Sequence, residues 1–166
     1  MNEEFTLRKC IELAVATEEA GAKFYARLAN RFHKDEKVAE IFARLAKDEE
    51  IHRRQFGDLL NSVAPEEDIS ASPEEYEYLK AMFISEFFSK DRGPFKGVDS
   101  IENKDDALGY AFQLEKMILG FYQAVRDTLG ESDVLSGVID AEKGHITGLM
   151  KVMISGGKFR SLQDSW

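Results

Sequence analysis

The chain is poor in the residues that staple or punctuate a fold. It has one cysteine, Cys10, in 166 residues. That excludes a disulfide framework and any zinc or iron–sulfur site built on thiolates, and it fits a reducing compartment. Only three prolines occur, at positions 65, 73 and 94, so long uninterrupted stretches lie on either side of the middle third. No apolar run approaches the roughly 20 residues that span a bilayer, and the opening MNEEFTLRKC has no apolar signal core. Basic charge is in deficit: 22 Lys plus Arg against 31 Asp plus Glu leave a formal charge of -9. A nucleic-acid partner would need clustered positive charge, so none is expected. These absences describe a soluble, cytoplasmic, acidic domain, residues 1–166, without a membrane partner.

What is present is helical periodicity. Four long stretches carry it, at about 4–32, 35–63, 104–129 and 133–155. The breaks within each pair are short enough to make antiparallel hairpins. Between the pairs lies a crossover with its own helix, at about 73–89. Ser72-Pro73-Glu74-Glu75 reads as an N-cap, a proline at the first helical position and a capping-box glutamate, with Tyr76, Leu79, Phe83 and Phe87 on one face. KDRGPFKGVDS then reads as a loop, and Asn103 as the cap of the third long helix. Two hairpins joined by a long connection make an all-α four-helix bundle.

The apolar seams of these helices hold the informative residues. Helix one offers Leu7, Ile11, Ala14, Glu18, Gly21, Tyr25, Leu28 and Phe32. Helix two offers Val38, Phe42, Leu45, Glu49, His52, Phe56, Leu59 and Val63. Helix three continues the pattern through Leu108, Ala111, Glu115, Ile118, Tyr122, Val125 and Leu129. Helix four does so through Leu135, Val138, Glu142, His145, Leu149 and Val152. Four glutamates and two histidines therefore point inward, where such groups are almost never left unpaired.

Their heights agree. Glu18 and Glu49 each lie roughly 23 Å from the first hairpin turn, and Glu115 and Glu142 roughly 20 Å from the second, at 1.5 Å per residue. The halves also repeat: Glu18 with Phe24-Tyr25 matches Glu115 with Phe121-Tyr122, and Glu49-x-x-His52 matches Glu142-x-x-His145. A single polar residue in a seam can simply set register; six at one level call for a counter-charge. Two divalent cations bring +4 against -4, with two imidazoles as further ligands. Carboxylate and imidazole donors suit iron or manganese, and no thiolate selects a softer metal. The i, i+3 spacing lets one helix offer a Glu and a His on one face. Tyr25 and Tyr122 stand two turns along the same faces, as core packing or as hydrogen-bond donors to a ligand. His33 reads as a surface residue in a turn, and Cys10 as a small core residue.

Glu18, Glu49-Glu50-Ile51-His52, Glu115 and Glu142-Lys143-Gly144-His145 resemble the di-metal carboxylate pattern of the ferritin-like superfamily. The stretches at 18–25 (EEAGAKFY) and 45–52 (LAKDEEIH) are similar to the rubrerythrin branch in particular. The resemblance implies a site for two iron ions, with manganese or zinc as substitutes, in which Glu49 and Glu142 bridge. Glu18 and His52 would complete one position, and Glu115 and His145 the other. Two features depart from full-length rubrerythrins. Their C-terminal rubredoxin domain, with iron on four cysteines, is lacking. Their extra carboxylate one turn before the third-helix ligand is replaced by Phe112.

The expectation is thus a di-iron oxidoreductase that reduces hydrogen peroxide or dioxygen with electrons from a separate donor protein. A bacterioferritin-like ferroxidase is a second reading, disfavoured because only about eleven residues follow the fourth long helix. A non-catalytic metal-binding helical module is a third. A homodimer is the expected assembly, through Phe159, Trp166 and the crossover helix.

Overall fold

The computed structural model describes residues 5–64, 70–84 and 94–156, without the side chains at 83, 84, 94 and 96. Four long helices form the body: α1 (Leu7–Arg31), α2 (Glu36–Ser62), α4 (Lys104–Leu129) and α5 (Asp133–Ser155). The crossover carries α3 (Pro73–Leu79) and a 3-10 helix (Pro94–Ser100). Helix α1 lies along α2 and α4 along α5, while α2 also packs on α5. This is the predicted four-helix bundle.

Local chemistry sets each start. Thr6, Asp35, Ser72, Asn103 and Ser132 all sit in extended backbone, and each side chain accepts from the backbone N–H three residues on. These contacts satisfy donors that the helix itself leaves open. Ser72 and Glu75 form the anticipated reciprocal capping box. The Thr6 cap starts α1 at Leu7 rather than near residue 4, where the apolar periodicity alone puts it. Gly130 closes α4 with φ +93°, a conformation that glycine adopts at no steric cost.

Two crossover expectations change. The regular α-helix stops at Leu79 and widens into a π turn over Lys80–Ile84; positions 85–89 lie outside the described residues. One extra residue in a turn hardly moves a short apolar face, so a 3.6 pattern could not reveal it. The segment read as a loop contains the 3-10 helix, with Pro94 at its start and Ser100 Oγ donating to Gly97 O at 2.7 Å. Proline fixes φ at a helical value, so a short tight turn tolerates it. Arg31 Nη1 donates to Val98 O at 3.2 Å, and this ties the segment to α1. Of the residues invoked for a dimer, Phe159 and Trp166 lie outside the described residues, as does Phe87.

The seam residues make the core, which is wider than one seam per helix. Cys10, Phe24, Ile41, Leu114, Phe121, Ile139 and Met153 are buried beside it, because each bundle helix meets two neighbours rather than one. Leu79, the last residue of α3, is fully buried, and Phe5 stacks on Tyr76 with centroids 5.2 Å apart. Burial pushes the Cys10 thiol up to about 12, which keeps it protonated and inert. Among the described residues, no helix is long and apolar enough to cross a membrane.

A candidate di-metal centre

The four long helices bring Glu18 (α1), Glu49 and His52 (α2), Glu115 (α4), and Glu142 and His145 (α5) to one level. All six are at most 5% exposed. Ligand atoms of Glu18, Glu49, His52 and Glu142 all lie within 4.8 Å of one another, as do those of Glu49, Glu115, Glu142 and His145. Glu49 and Glu142 belong to both groups. The geometry is therefore two overlapping four-residue nests on a shared pair of carboxylates, the arrangement that the repeated Glu-x-x-His spacing anticipates.

The rings and carboxylates interleave. His52 Nδ1 is 3.3 Å from Glu18 Oε2 and 3.4 Å from Glu142 Oε1. His145 Nδ1 is 3.2 Å from Glu115 Oε2 and 3.3 Å from Glu142 Oε2. The two imidazoles lie 5.6 Å apart, 26° from parallel. Tyr25 donates its hydroxyl to Glu115 Oε1, and Tyr122 donates to Glu18 Oε1. These bonds cross the bundle: each tyrosine serves the glutamate of the opposite helix. Burial drives both phenols well above their usual range, so both stay protonated donors. Gly21 stands beside Glu49, and a Cβ there would lie 3.4 Å from Glu49 Cγ. That seam position is small because the shared carboxylate occupies the adjoining space.

Around these bonds the cluster is under-satisfied. Both oxygens of Glu49 and of Glu142, Glu18 Oε2, His52 Nδ1 and His145 Nε2 are buried without a hydrogen-bond partner. Such groups cost free energy unless something neutralises them. Protons do part of this. Burial raises Glu115 to about 8, with the charge of Glu142 adding to it. Burial likewise lifts Glu49, helped by Glu18. Burial alone would lower both imidazoles. Contacts with Glu142 and Glu18 outweigh it for His52, at about 9, and those with Glu115 and Glu142 outweigh it for His145, at about 10. Burial also works to raise Glu142, and contacts with His145, His52 and Glu115 bring it down to about 2. The carboxylate oxygens left over, with Nδ1 of both imidazoles facing them, are the donor set of a hard or borderline divalent cation. Their number and placement fit a metal pair.

His33 is exposed in the α1–α2 turn, with Nδ1 2.8 Å from Asn30 O, as the sequence indicates. Phe112 is partly buried against the core, with Lys116 Nζ 5.6 Å from its ring centre. Asp48 was missed: its Oδ2 is 3.4 Å from His145 Nε2. The only signal for it was its place directly before Glu49.

A family model, described as rubrerythrin, matches residues 9–91, half of the chain. The chain belongs to the rubrerythrin family. As a rubrerythrin-family protein it also has a structural likeness among solved proteins. A ferritin-like diiron-carboxylate protein from Thermotoga maritima is similar with a TM-score of 0.66 at 22% identity, over 94% of this chain and 99% of that one. The likeness identifies the fold as ferritin-like. A comparison with curated proteins finds no match.

Proposed function

We propose that this protein is a di-iron oxidoreductase that reduces hydrogen peroxide or dioxygen with electrons from a separate donor protein. One observation carries the reading: two four-residue nests of carboxylate and imidazole share Glu49 and Glu142 in a dry bundle core. In this reading Glu49 and Glu142 hold both ions, Glu18 and His52 complete one position, and Glu115 and His145 complete the other. When bound, a pair of ferrous ions supplies one electron apiece, the two electrons that reduction of peroxide to two waters consumes along with two protons.

The chain's own residues do the rest. Tyr25 and Tyr122 orient Glu115 and Glu18 and hold a proton on each phenol oxygen beside them. Phe56 and Phe42 pack against Tyr122 and Tyr25, with ring centres 5.4 Å and 6.1 Å away. This apolar surround keeps bulk water off the cluster. Cys10 is buried and stays a thiol, so it is unsuited to relay electrons, which supports an external donor. A reducing, cytoplasmic setting and a homodimer belong to the same proposal.

The first test is a metal count after anaerobic loading, where two irons per chain are expected. The second is to add peroxide to the reduced, loaded protein and follow the oxidation spectrum. Oxidation no faster than that of free ferrous iron would sink the reading.

A further inference from the structure

The two halves of the site repeat in sequence, yet their surroundings differ at one position. Asp48 immediately precedes Glu49 on α2, and its Oδ2 lies 3.4 Å from Nε2 of His145, the ring nitrogen turned away from the glutamates, at ion-pair distance though short of a hydrogen bond. The corresponding residue on α5, immediately before Glu142, is Ala141. All three carboxylate contacts of His52 are made through Nδ1, to Glu18, Glu49 and Glu142. Among the described residues, no carboxylate stands at ion-pair distance from its Nε2. Both residues 48 and 141 are half-buried, so the difference is one of chemistry rather than of depth.

A carboxylate behind the outer nitrogen of a ligating imidazole has three effects. It keeps the proton on that nitrogen, leaves the lone pair on the inner one, and makes the inner one more basic. At His145 the inner nitrogen is Nδ1, which already faces Glu49, Glu115 and Glu142. His52 has the same inner geometry without the carboxylate behind it. We propose, resting on the di-metal reading above, that Asp48 is a positioning residue that makes the pair of metal positions unequal. The Glu115–His145 position fills first and tightly; the Glu18–His52 position fills second and exchanges.

Two cations in one cluster repel, so two binding steps of unequal strength would arise even in a symmetric site. The order of filling must therefore be read from variants, each checked for wild-type helix content by circular dichroism. The probe is Co(II), titrated anaerobically into the metal-free full-length chain, with visible absorption reporting coordination and calorimetry reporting each affinity. Glu18 belongs only to the His52 nest and Glu115 only to the His145 nest. Glu18→Ala is expected to keep the tight first step and lose the second; Glu115→Ala is expected to lose the tight step. Asp48→Ala should weaken the first step by roughly 10- to 100-fold and leave the second nearly unchanged, with Asp48→Asn between it and wild type. Ala141→Asp should tighten the second step. Retention of the tight step in Glu115→Ala, or equal weakening of both steps in Asp48→Ala, overturns the ordering while leaving the di-metal reading intact. Absence of any cobalt binding to the wild-type chain overturns both.

Discussion

Protons and metal ions compete for the same buried groups, so the metal-free protein should lose stability as the solution becomes alkaline. In the fold His52 titrates at about 9 and His145 at about 10, against an ordinary imidazole value of 6.5. A histidine whose folded value is raised stabilises the fold fully below 6.5 and loses that contribution as pH climbs through the folded value. Near pH 8 the folded chain therefore holds close to two imidazole protons that the unfolded chain has released. The slope that follows is about -2.5 kcal/mol per pH unit. Glu115, raised to about 8 by burial and by Glu142, acts in the same direction. For a chain of this size that corresponds to a fall in Tm of roughly 5–10 °C per pH unit.

Thermal melts of chelator-treated protein at pH 7.5 and 8.5, followed by circular dichroism, measure this directly. By pH 8.5 an exposed thiol is about half ionised whereas buried Cys10, pushed up to about 12, keeps its proton, so Cys10 adds a smaller contribution of the same sign. Divalent metal should reverse the trend: it binds the deprotonated groups, so the gap in Tm between loaded and metal-free protein widens with pH. A His52→Gln/His145→Gln double variant should show a much flatter slope. A metal-free Tm that holds level or rises from pH 7.5 to 8.5 would refute the reasoning, and so would an undiminished slope in the double variant.

Three further outcomes follow from the same geometry. Glu49→Gln keeps the shape of the shared residue but removes its charge; it should lose at least one metal per chain while the metal-free Tm stays at or above wild type. Metal analysis after dialysis checks this, and two retained ions would contradict the sharing of Glu49. Tyr122→Phe removes the hydrogen bond that Tyr122 donates to Glu18 Oε1; it should lower metal-free stability by about 1–3 kcal/mol, read from urea unfolding, with the matching loss in Tyr25→Phe. At Gly21 an added Cβ meets Glu49 at ordinary contact distance, so Gly21→Ala should bind metal normally and gain up to about 1 kcal/mol of helix stability. Gly21→Leu should press on Glu49 and weaken metal binding by calorimetry although every ligand remains.

The fold and the six clustered residues were legible because they rest on one regularity. A seam of apolar residues spaced three and four apart continues through Glu18, Glu49, His52, Glu115, Glu142 and His145, and helices of known rise bring equal distances from a turn to equal heights. The capping box at Ser72 and the cap at Asn103 could be read because their spacing is local. Other features depend on contacts that sequence order does not encode. Tyr25 and Tyr122 could be placed beside the site, but not paired with the glutamates of the opposite helices. Asp48 lies off the seam, so the periodicity that found Glu49 passed over it. Ile41, Phe24 and Phe121 were buried by second neighbours that a one-seam reading does not count.

The repeat and its flaw therefore belong to different levels of the chain. Matching Glu-x-x-His spacings on α2 and α5, and matching Glu–Tyr spacings on α1 and α4, create an internal symmetry that brings four like charges together. Burial alone makes that cluster unfavourable, and the reciprocal tyrosine bonds satisfy only one oxygen each on Glu18 and Glu115. The remaining demand falls on whatever positive charge enters, protons in the bare protein and cations in the loaded one. Where the demand is the same in both halves, a single carboxylate outside the symmetry suffices to distinguish them. Asp48 is such a group, and Ala141 is its missing counterpart.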